Sequence, residues 1–221
     1  MTFAKAYEDP PRVWGVGRVV VGDEIVPWPV SEADIDDETE VAATFLRELG
    51  LGADELVLIV SYLSQAIHVA PFERAAGVVG ALYSSADASR FDAFRTASLV
   101  RQLKPTVVIG VDDAVLDGFD DLDRDPAEVF APVRTVVASG TAAQARLATA
   151  GVSAGVWLRL GALNAVAGPG ATELRYDAAR WQVDEANGEL LVTSLAERLT
   201  PSDRFRTGFE GRVPTPGRIA L

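Results

Sequence analysis

The stretches Leu56-Val57-Leu58-Ile59-Val60 and Thr106-Val107-Val108-Ile109-Gly110 decide the fold. Each is a continuous run of residues that favour strands, which is typical of strands buried on both faces of a parallel sheet. Further strands are predicted at 133–138 and 156–160, and helical patterns lie between the strands. This alternation is typical of α/β proteins, in which right-handed crossovers give a mainly parallel sheet covered by helices. The sequence therefore predicts an α/β fold.

Four helices are predicted around these strands, and the last of them occupies 144–150. The first occupies 31–50 and begins at the capping residue Ser31, the second runs from Pro71 to Gly80, and the third spans 91–103. The third helix carries an apolar stripe that we expect to face the core. The stripe consists of Phe91, Phe94, Ala97, Leu99 and Leu103. The acidic stretch from Asp117 to Asp125 is interpreted as a solvated loop, because it lacks the spacing of a calcium-binding loop.

Four segments follow from this pattern. Residues 1–30 are expected to form an N-terminal β segment, and residues 31–175 the α/β core. Residues 176–213 are expected to form a small antiparallel β subdomain, in which an Asn187-Gly188 turn joins two strands. The tail at 214–221 has no apolar period and is expected to be extended or frayed.

Composition excludes several classes of function. The 221 residues include no cysteine, which excludes disulfides, thiolate metal sites and a cysteine nucleophile, and the single histidine excludes sites that need two. The formal net charge of -12 repels nucleic acid and anionic membrane surfaces. Neither a signal peptide nor a membrane span is recognisable in the sequence. We therefore expect a cytoplasmic protein that binds neither nucleic acid nor membranes.

Three ordered segments carry a resemblance to a known family. They are Gly168-Pro169-Gly170, then Gly188-Glu189-Leu190-Leu191-Val192-Thr193-Ser194-Leu195, and finally Arg204-Phe205-Arg206-Thr207-Gly208. Together they resemble the phenylacetate-CoA ligase branch of the adenylate-forming acyl-CoA ligases, where a GPG follows a YG-SE motif and a GELV-T-L strand leads into a YRTGD-type loop. The resemblance implies that family's α/β scaffold from about Ser31 onward and a pocket for an acyl or aryl group.

The sequence departs from that family where ATP is handled. The phosphate-binding loop rich in Ser, Thr and Gly is replaced by Val20-Val21-Gly22-Asp23-Glu24. The aromatic residue and the acid of the YG-SE motif align with Gly161 and Ala165, and the ribose-binding aspartate aligns with Phe209. The family's mobile C-terminal domain would begin near Gly211. The resemblance therefore implies a truncated, degenerate relative that binds neither ATP nor magnesium, while a CoA thioester remains an admissible ligand.

The candidate site residues lie at the predicted carboxyl edge of the sheet and in the motif segments. His68 is the candidate acid/base, with a hydrogen-bonded structural histidine as the alternative, and no residue is assigned a catalytic role beyond it. No metal ligand is predicted. The ligand-binding candidates are Ser61, Ser64, His68, Ser139, Gly140, Asn164, Gly168, Gly170 and Arg206.

Three hypotheses about function remain open from the sequence. The first is a non-adenylating homologue, or pseudoenzyme, that binds an acyl, aryl or CoA-type ligand or a partner protein. The second is an ATP-independent enzyme acting on an acyl or aryl substrate, with His68 as acid/base. The third is one subunit of a split AMP-forming ligase. A homodimer is also predicted, for which the apolar tail residues Ile219 and Leu221 are candidates.

Overall fold

A computed structural model describes residues 12–22 and 24–220. Its main feature is an eight-stranded sheet in the order β13-β9-β8-β7-β6-β5-β3-β4. Strands β3 to β7 run parallel, whereas β8, β9 and β13 pair antiparallel at one end. The bounds of these strands are β3 Leu56–Ser61, β4 Leu82–Asp87, β5 Val107–Val111, β6 Thr135–Ser139, β7 Ala154–Leu160, β8 Leu163–Ala167, β9 Glu173–Arg175 and β13 Arg218–Ala220.

Helices cover both faces of the main sheet, as the alternating pattern predicts. Their bounds are α1 Glu32–Glu48, α2 Ala66–Val79, α3 Ala93–Leu103, α4 Asp113–Asp121, α5 Pro126–Phe130 and α6 Thr141–Thr149. Apolar residues of α1 and α2 pack on one face of the sheet, and those of α3, α4 and α6 pack on the other. The predicted mixed α/β fold is therefore confirmed. None of the helices in the described ranges has the length and apolar character needed to cross a membrane.

The start of α1 is the clearest agreement between sequence and structure. The Ser31 hydroxyl accepts a hydrogen bond from the Asp34 amide, and the Asp34 carboxylate accepts one from the Ser31 amide at 2.7 Å. This reciprocal capping satisfies amides that otherwise lack partners at a helix start. It also fixes the direction of α1, which buries Phe45 and Leu46 against the sheet.

Two smaller β units accompany the main sheet. The hairpin of β1 (Val13–Val21) and β2 (Glu24–Ser31) is antiparallel, and a three-stranded sheet contains β10 (Trp181–Ala186), β11 (Glu189–Ser194) and β12 (Phe205–Glu210). Both were predicted, including the turn between β10 and β11. Their contact is aromatic, because the rings of Trp28 and Phe205 meet edge to face at 4.9 Å.

The second helix is longer than predicted. It begins at Ala66 rather than at Pro71, so that His68 lies in its first turns and Pro71 in its interior. Tertiary packing explains the early start: Ile67 is buried against Gly17 of β1, where a Cβ atom would lie only 2.2 Å from the Ile67 Cδ1. Packing of this kind overrides the preference of proline for the first position of a helix.

The apolar stripe predicted for the third helix was right for Ala97 and Leu99, which pack against the core, and wrong for Phe91, Phe94 and Leu103. Phe91 and Phe94 are 96% and 61% exposed, and the buried positions are Ala93, Thr96 and Val100. The physical reason is the close approach of α4, since a Cβ atom at Gly118 would lie 2.4 Å from that of Ala93. A contact this tight accepts small side chains and leaves no room for a phenylalanine ring.

The acidic stretch and the tail also differ from expectation. Much of the stretch interpreted as a loop is α4, which Arg146 of α6 stabilises by ion pairs with Asp113, Asp117 and Asp120. The tail, expected to be extended or frayed, is extended at β13, which pairs with β9 and buries Ile219 completely. Ile219 is thus a core residue and not a dimer contact, while Leu221 lies outside the described residues.

Candidate functional site

The carboxyl ends of the parallel strands bring several polar side chains to one edge of the sheet. Tyr62 follows β3, Asp112 follows β5, Ser139 ends β6, and Arg159 lies near the end of β7. This edge is where open α/β sheets bind their ligands. We call the surface formed by Tyr62, Gln65, Asp112, Ser139 and Arg159 the carboxyl-edge site.

Arg159 is the central residue of the carboxyl-edge site. Its Nη1 donates a hydrogen bond to Gln65 Oε1 at 3.0 Å, and its guanidinium carbon lies 5.0 Å from the centroid of the Trp157 ring. Within the described residues, no carboxylate oxygen comes within 4.0 Å of the guanidinium, although ten other arginines have such partners. Burial lowers the pKa of Arg159, and the more distant Asp112 and Tyr62 offset this only in part. The strand therefore holds a desolvated cation without a close counter-ion, an unfavourable arrangement for the protein alone.

Two acidic groups act on the charge of Arg159 from the ends of β5 and β3. Asp112 caps α4 by accepting a hydrogen bond from the Val115 amide at 3.1 Å. Burial raises the pKa of Asp112, and the pKa of Tyr62 is raised by burial and by the charges of Asp112 and Asp87. The phenol is therefore protonated at neutral pH. The site thus combines one cation, one carboxylate and one phenol donor at the carboxyl ends of the strands.

Ser139 adds a hydroxyl that has no partner. Its Oγ is buried and makes no hydrogen bond to any of the described residues. Ser139 lies opposite Trp157 in the β6–β7 register, and successive residues of a strand alternate in direction, so Ser139 and Arg159 project on the same face of the sheet. Gly140 follows with φ of 103°, a conformation that strongly favours glycine and turns the chain into α6. An unpaired hydroxyl on the same face of the sheet as Arg159 is a polar group that a ligand can satisfy.

His68 lies beneath this surface and not on it. The side chain is 2% exposed, and its Nδ1 makes no hydrogen bond to the described residues. Burial, together with the charge of Arg159, lowers the pKa of His68 to about 3, while a hydrogen bond with Asn164 acts in the opposite direction. His68 is therefore a neutral imidazole at neutral pH, without access to solvent.

The second region of interest is the tip of the β1–β2 hairpin, where the resemblance expects a phosphate-binding loop. Val21 pairs with Glu24, so only two residues connect the strands. The tip lies beside β12, since a Cβ atom at Gly208 would be 3.9 Å from the Gly22 amide nitrogen. At Gly161, a Cβ atom would lie 3.2 Å from the Phe205 ring and 3.6 Å from the Trp28 ring. The chain's own aromatic side chains thus fill the space in front of Gly161.

The remaining predicted site residues are dispersed. Ser61 is half-buried and Ser64 is exposed close to the carboxyl-edge site, whereas Gly168 and Gly170 lie in the turn after β8. Asn164 is buried; it accepts a hydrogen bond from Trp157 and donates one to Glu38. Arg206 is exposed and paired with Glu189. No group of three or more metal-binding side chains occurs within 12–22 and 24–220.

The sequence reasoning missed Arg159, Gln65, Tyr62 and Asp112. A signal for Arg159 was present, because it is the only charged residue in the β7 sequence Ala154-Gly155-Val156-Trp157-Leu158-Arg159-Leu160. Arginine is rarely buried without a partner, so its place in such a strand indicates a role beyond packing. The other three depend on strand order, which the sequence does not give.

Comparison with known proteins gives the fold a precedent. No family model matches the sequence, and no curated protein matches it. Among solved structures, 2-hydroxyisobutyryl-CoA ligase, in complex with 2-HIB-AMP and CoA, is similar with a TM-score of 0.68 and 14% identity over 95% of this chain and 56% of the ligase. The NpsA N-terminal subdomain of Klebsiella oxytoca, in complex with anthranilyl-AMSN, is similar with a TM-score of 0.65 and 13% identity. The match covers 93% of this chain and 62% of the NpsA subdomain.

An ATP-bound RpMatB-BxBclM chimera is also similar, with a TM-score of 0.63 and 11% identity, and this chain covers 48% of its length. The chain therefore spans only about half the length of the ligases it matches. At identities this low, the structural similarity establishes the fold and not the chemistry. The described residues have the fold of part of these solved structures, and this fold is the α/β scaffold that the resemblance of the three sequence motifs implies.

Proposed function

We propose that this chain is a non-adenylating relative of the phenylacetate-CoA ligase branch that binds a small acyl or aryl carboxylate at the carboxyl-edge site. Arg159 is the anion anchor in this proposal, and Ser139 supplies a hydroxyl to the same ligand. The observation that carries the proposal is the desolvated Arg159 guanidinium without a carboxylate within 4.0 Å among the described residues. A bound carboxylate would provide the missing counter-ion through charge-assisted hydrogen bonds.

Two features support binding without adenylation. The β1–β2 hairpin closes with a two-residue connection, which is too short to wrap phosphates with successive backbone amides. Trp28 and Phe205 occupy the space in front of Gly161, where the resemblance expects an aromatic ring beside adenine. Phe209, in the position of the ribose-binding aspartate, has no acceptor for hydroxyl groups.

The structural neighbours suggest which ligands to try first. Those structures are complexes with 2-HIB-AMP and CoA and with anthranilyl-AMSN, so 2-hydroxyisobutyrate and anthranilate represent the acyl and aryl classes. The buried, neutral His68 argues against the ATP-independent enzyme, because a base with a pKa of about 3 abstracts protons poorly at neutral pH.

Thermal denaturation tests the proposal. Anthranilate, 2-hydroxyisobutyrate, phenylacetate and their CoA thioesters are added one at a time, and ATP with magnesium and AMP form the nucleotide arm. A ligand at 100 times its Kd stabilises the folded state by about 2.7 kcal/mol. For a chain of this size the midpoint then rises by about 5–10 °C.

The Arg159→Gln variant should lose this shift without a lower midpoint in the absence of ligand, because the substitution removes an unpaired desolvated charge. Arg47→Gln is the matched control, since it removes an exposed arginine from α1 and should keep the full shift. A shift with ATP or AMP would refute the non-adenylating part of the proposal. No shift with any carboxylate or thioester would refute the binding part.

A further inference from the structure

Strand β4 forms an open edge of the main sheet. Among the described residues it pairs only with β3. Its first two residues are apolar and unusually accessible, with Leu82 66% and Tyr83 51% exposed. Val78 of the preceding helix is 58% exposed and extends this apolar surface. An open edge offers unpaired backbone groups that readily pair with another strand.

The usual protection of an edge strand is missing in β4. The sequence Leu82-Tyr83-Ser84-Ser85-Ala86-Asp87 contains no proline and no lysine, and its pairing with β3 shows no bulge. The opposite edge differs, because β13 has only three residues and is preceded by Pro216 and Gly217. Natural sheets blunt exposed edges with such devices, so their absence from one edge indicates an interaction surface.

The backbone hydrogen bonds show which groups of β4 point outward. The Leu82 amide donates to the Glu55 carbonyl at 2.8 Å, and the Ala88 amide donates to the Ser61 carbonyl at 3.3 Å. Alternate residues of an edge strand therefore face β3, and the amides and carbonyls of Tyr83 and Ser85 face away. The Asp87 amide is already bonded to Asp92 Oδ2 at 3.2 Å. The pairing surface is thus centred on Ser84.

We propose that a second copy of this chain pairs antiparallel with β4 about a two-fold axis through Ser84. Tyr83 then lies opposite Ser85 of the other copy, and the two residues exchange both of their backbone hydrogen bonds. Residues directly opposite in an antiparallel pair share a face of the sheet, which this register satisfies. The two main sheets become one continuous sheet.

Charge favours a second copy in this position. The chain carries a net charge of -12, which opposes self-association elsewhere. Residues 81 to 86 are uncharged, so the register places Leu82 against Ala86 and Asp87 against Ala81, without opposing like charges. A two-fold axis also brings β4 of one copy against β4 of the other, so that both copies use the same surface, as a closed dimer requires.

Sedimentation equilibrium over a range of protein concentrations tests the dimer. The unmodified chain should sediment with twice the mass of one copy. Tyr83→Lys and Ser85→Pro should each weaken association at least about tenfold, because a charge and a missing amide both disrupt edge pairing. Both positions face outward, so the monomer should remain folded by circular dichroism. Leu195→Lys changes an equally exposed apolar residue elsewhere and should leave the dimer intact.

Cysteine cross-linking tests the register, since the chain has no cysteine of its own. Ser84 and its symmetry mate form a non-hydrogen-bonded pair with Cα atoms about 4.5 Å apart, within reach of a disulfide. Ser85 and its mate would be about 8 Å apart, which is too far. Mild oxidation should therefore cross-link Ser84→Cys and leave Ser85→Cys uncross-linked. Any of three results would overturn the proposal. The chain could be a monomer at all concentrations, the dimer could be unaffected by both edge variants, or Ser85→Cys could cross-link while Ser84→Cys does not.

Discussion

Replacing Arg198 by alanine is expected to lower the free energy of unfolding by about 3–5 kcal/mol, the range for removing one partner of a buried ion pair. Arg198 precedes β12, and its side chain is 3% exposed. Its Nη2 lies 3.2 Å from Glu38 Oε1 of α1, and its guanidinium carbon lies 4.4 Å from the centroid of the Trp181 ring. Arg198 thus joins the small sheet to α1.

The cost arises from the charge left behind. Glu38 is buried, and it accepts hydrogen bonds from Trp181 at 2.8 Å and from Asn164 at 3.3 Å. Burial already raises the pKa of Glu38 although Arg198 opposes the shift, and without Arg198 the pKa should rise further. An uncompensated buried carboxylate is strongly destabilising at neutral pH.

Urea denaturation at pH 7 measures the loss, and two variants calibrate it. Arg204→Ala removes an exposed arginine that pairs with Asp184, and it should cost less than about 1 kcal/mol. In the double variant Glu38→Gln with Arg198→Met, position 38 carries no buried charge, so its stability should exceed that of Arg198→Ala. Asp34, which lies 3.7 Å from Arg198, keeps its hydrogen bonds from the Ser31 amide and hydroxyl in both variants. A loss below about 1 kcal/mol in Arg198→Ala would show that the cluster does not hold the two sheets together.

The second large effect is a dependence of stability on pH that arises from His68. Its pKa is about 3 in the folded chain and about 6.5 when unfolded, so between these values only the unfolded state binds the proton. Stability should therefore be fully present above pH 6.5 and fall as the pH decreases towards 3. The slope approaches about 1.4 kcal/mol per pH unit, which amounts to about 2 kcal/mol between pH 7 and pH 5.

Urea denaturation at pH 7, 6 and 5 measures this slope in the unmodified chain and in His68→Gln. Because His68 is the only histidine, the variant should lose the part of the dependence that histidine causes, whereas the contributions of carboxyl groups are common to both proteins. Identical slopes in the two proteins would mean that His68 is not held as a buried neutral imidazole.

The sequence predicted those elements whose signals are local. The capping pair Ser31 and Asp34, the apolar runs of β3 and β5, and the turn before Gly188 depend on neighbouring residues, and all three were found as expected. Strand β4 was missed because Leu82 to Asp87 mixes serine with exposed apolar residues, as an edge strand can. The helix start at Ala66 was missed because it depends on the packing of Ile67 against β1, which is distant in the sequence.

The candidate site was less accessible to sequence reasoning than the fold. The sequence indicated the carboxyl edge of the sheet as the place to look, and the structure places Ser61 and Ser139 at that edge. Arg159, the proposed anchor, was missed because what distinguishes it is the absence of a close carboxylate among the described residues, which depends on its neighbours in three dimensions. His68 was a candidate from its residue type, but burial decides its protonation.

Isothermal titration calorimetry with anthranilate tests the central claim most directly, which is that Arg159 anchors a carboxylate in a chain that does not bind ATP. The same titration is repeated on Arg159→Gln, on Arg47→Gln and with ATP and magnesium as the ligand. We predict saturable anthranilate binding to the unmodified chain and to Arg47→Gln, at least about tenfold weaker binding to Arg159→Gln, and no heat of binding with ATP. Equal affinity of Arg159→Gln and the unmodified chain, or saturable binding of ATP, would contradict the account.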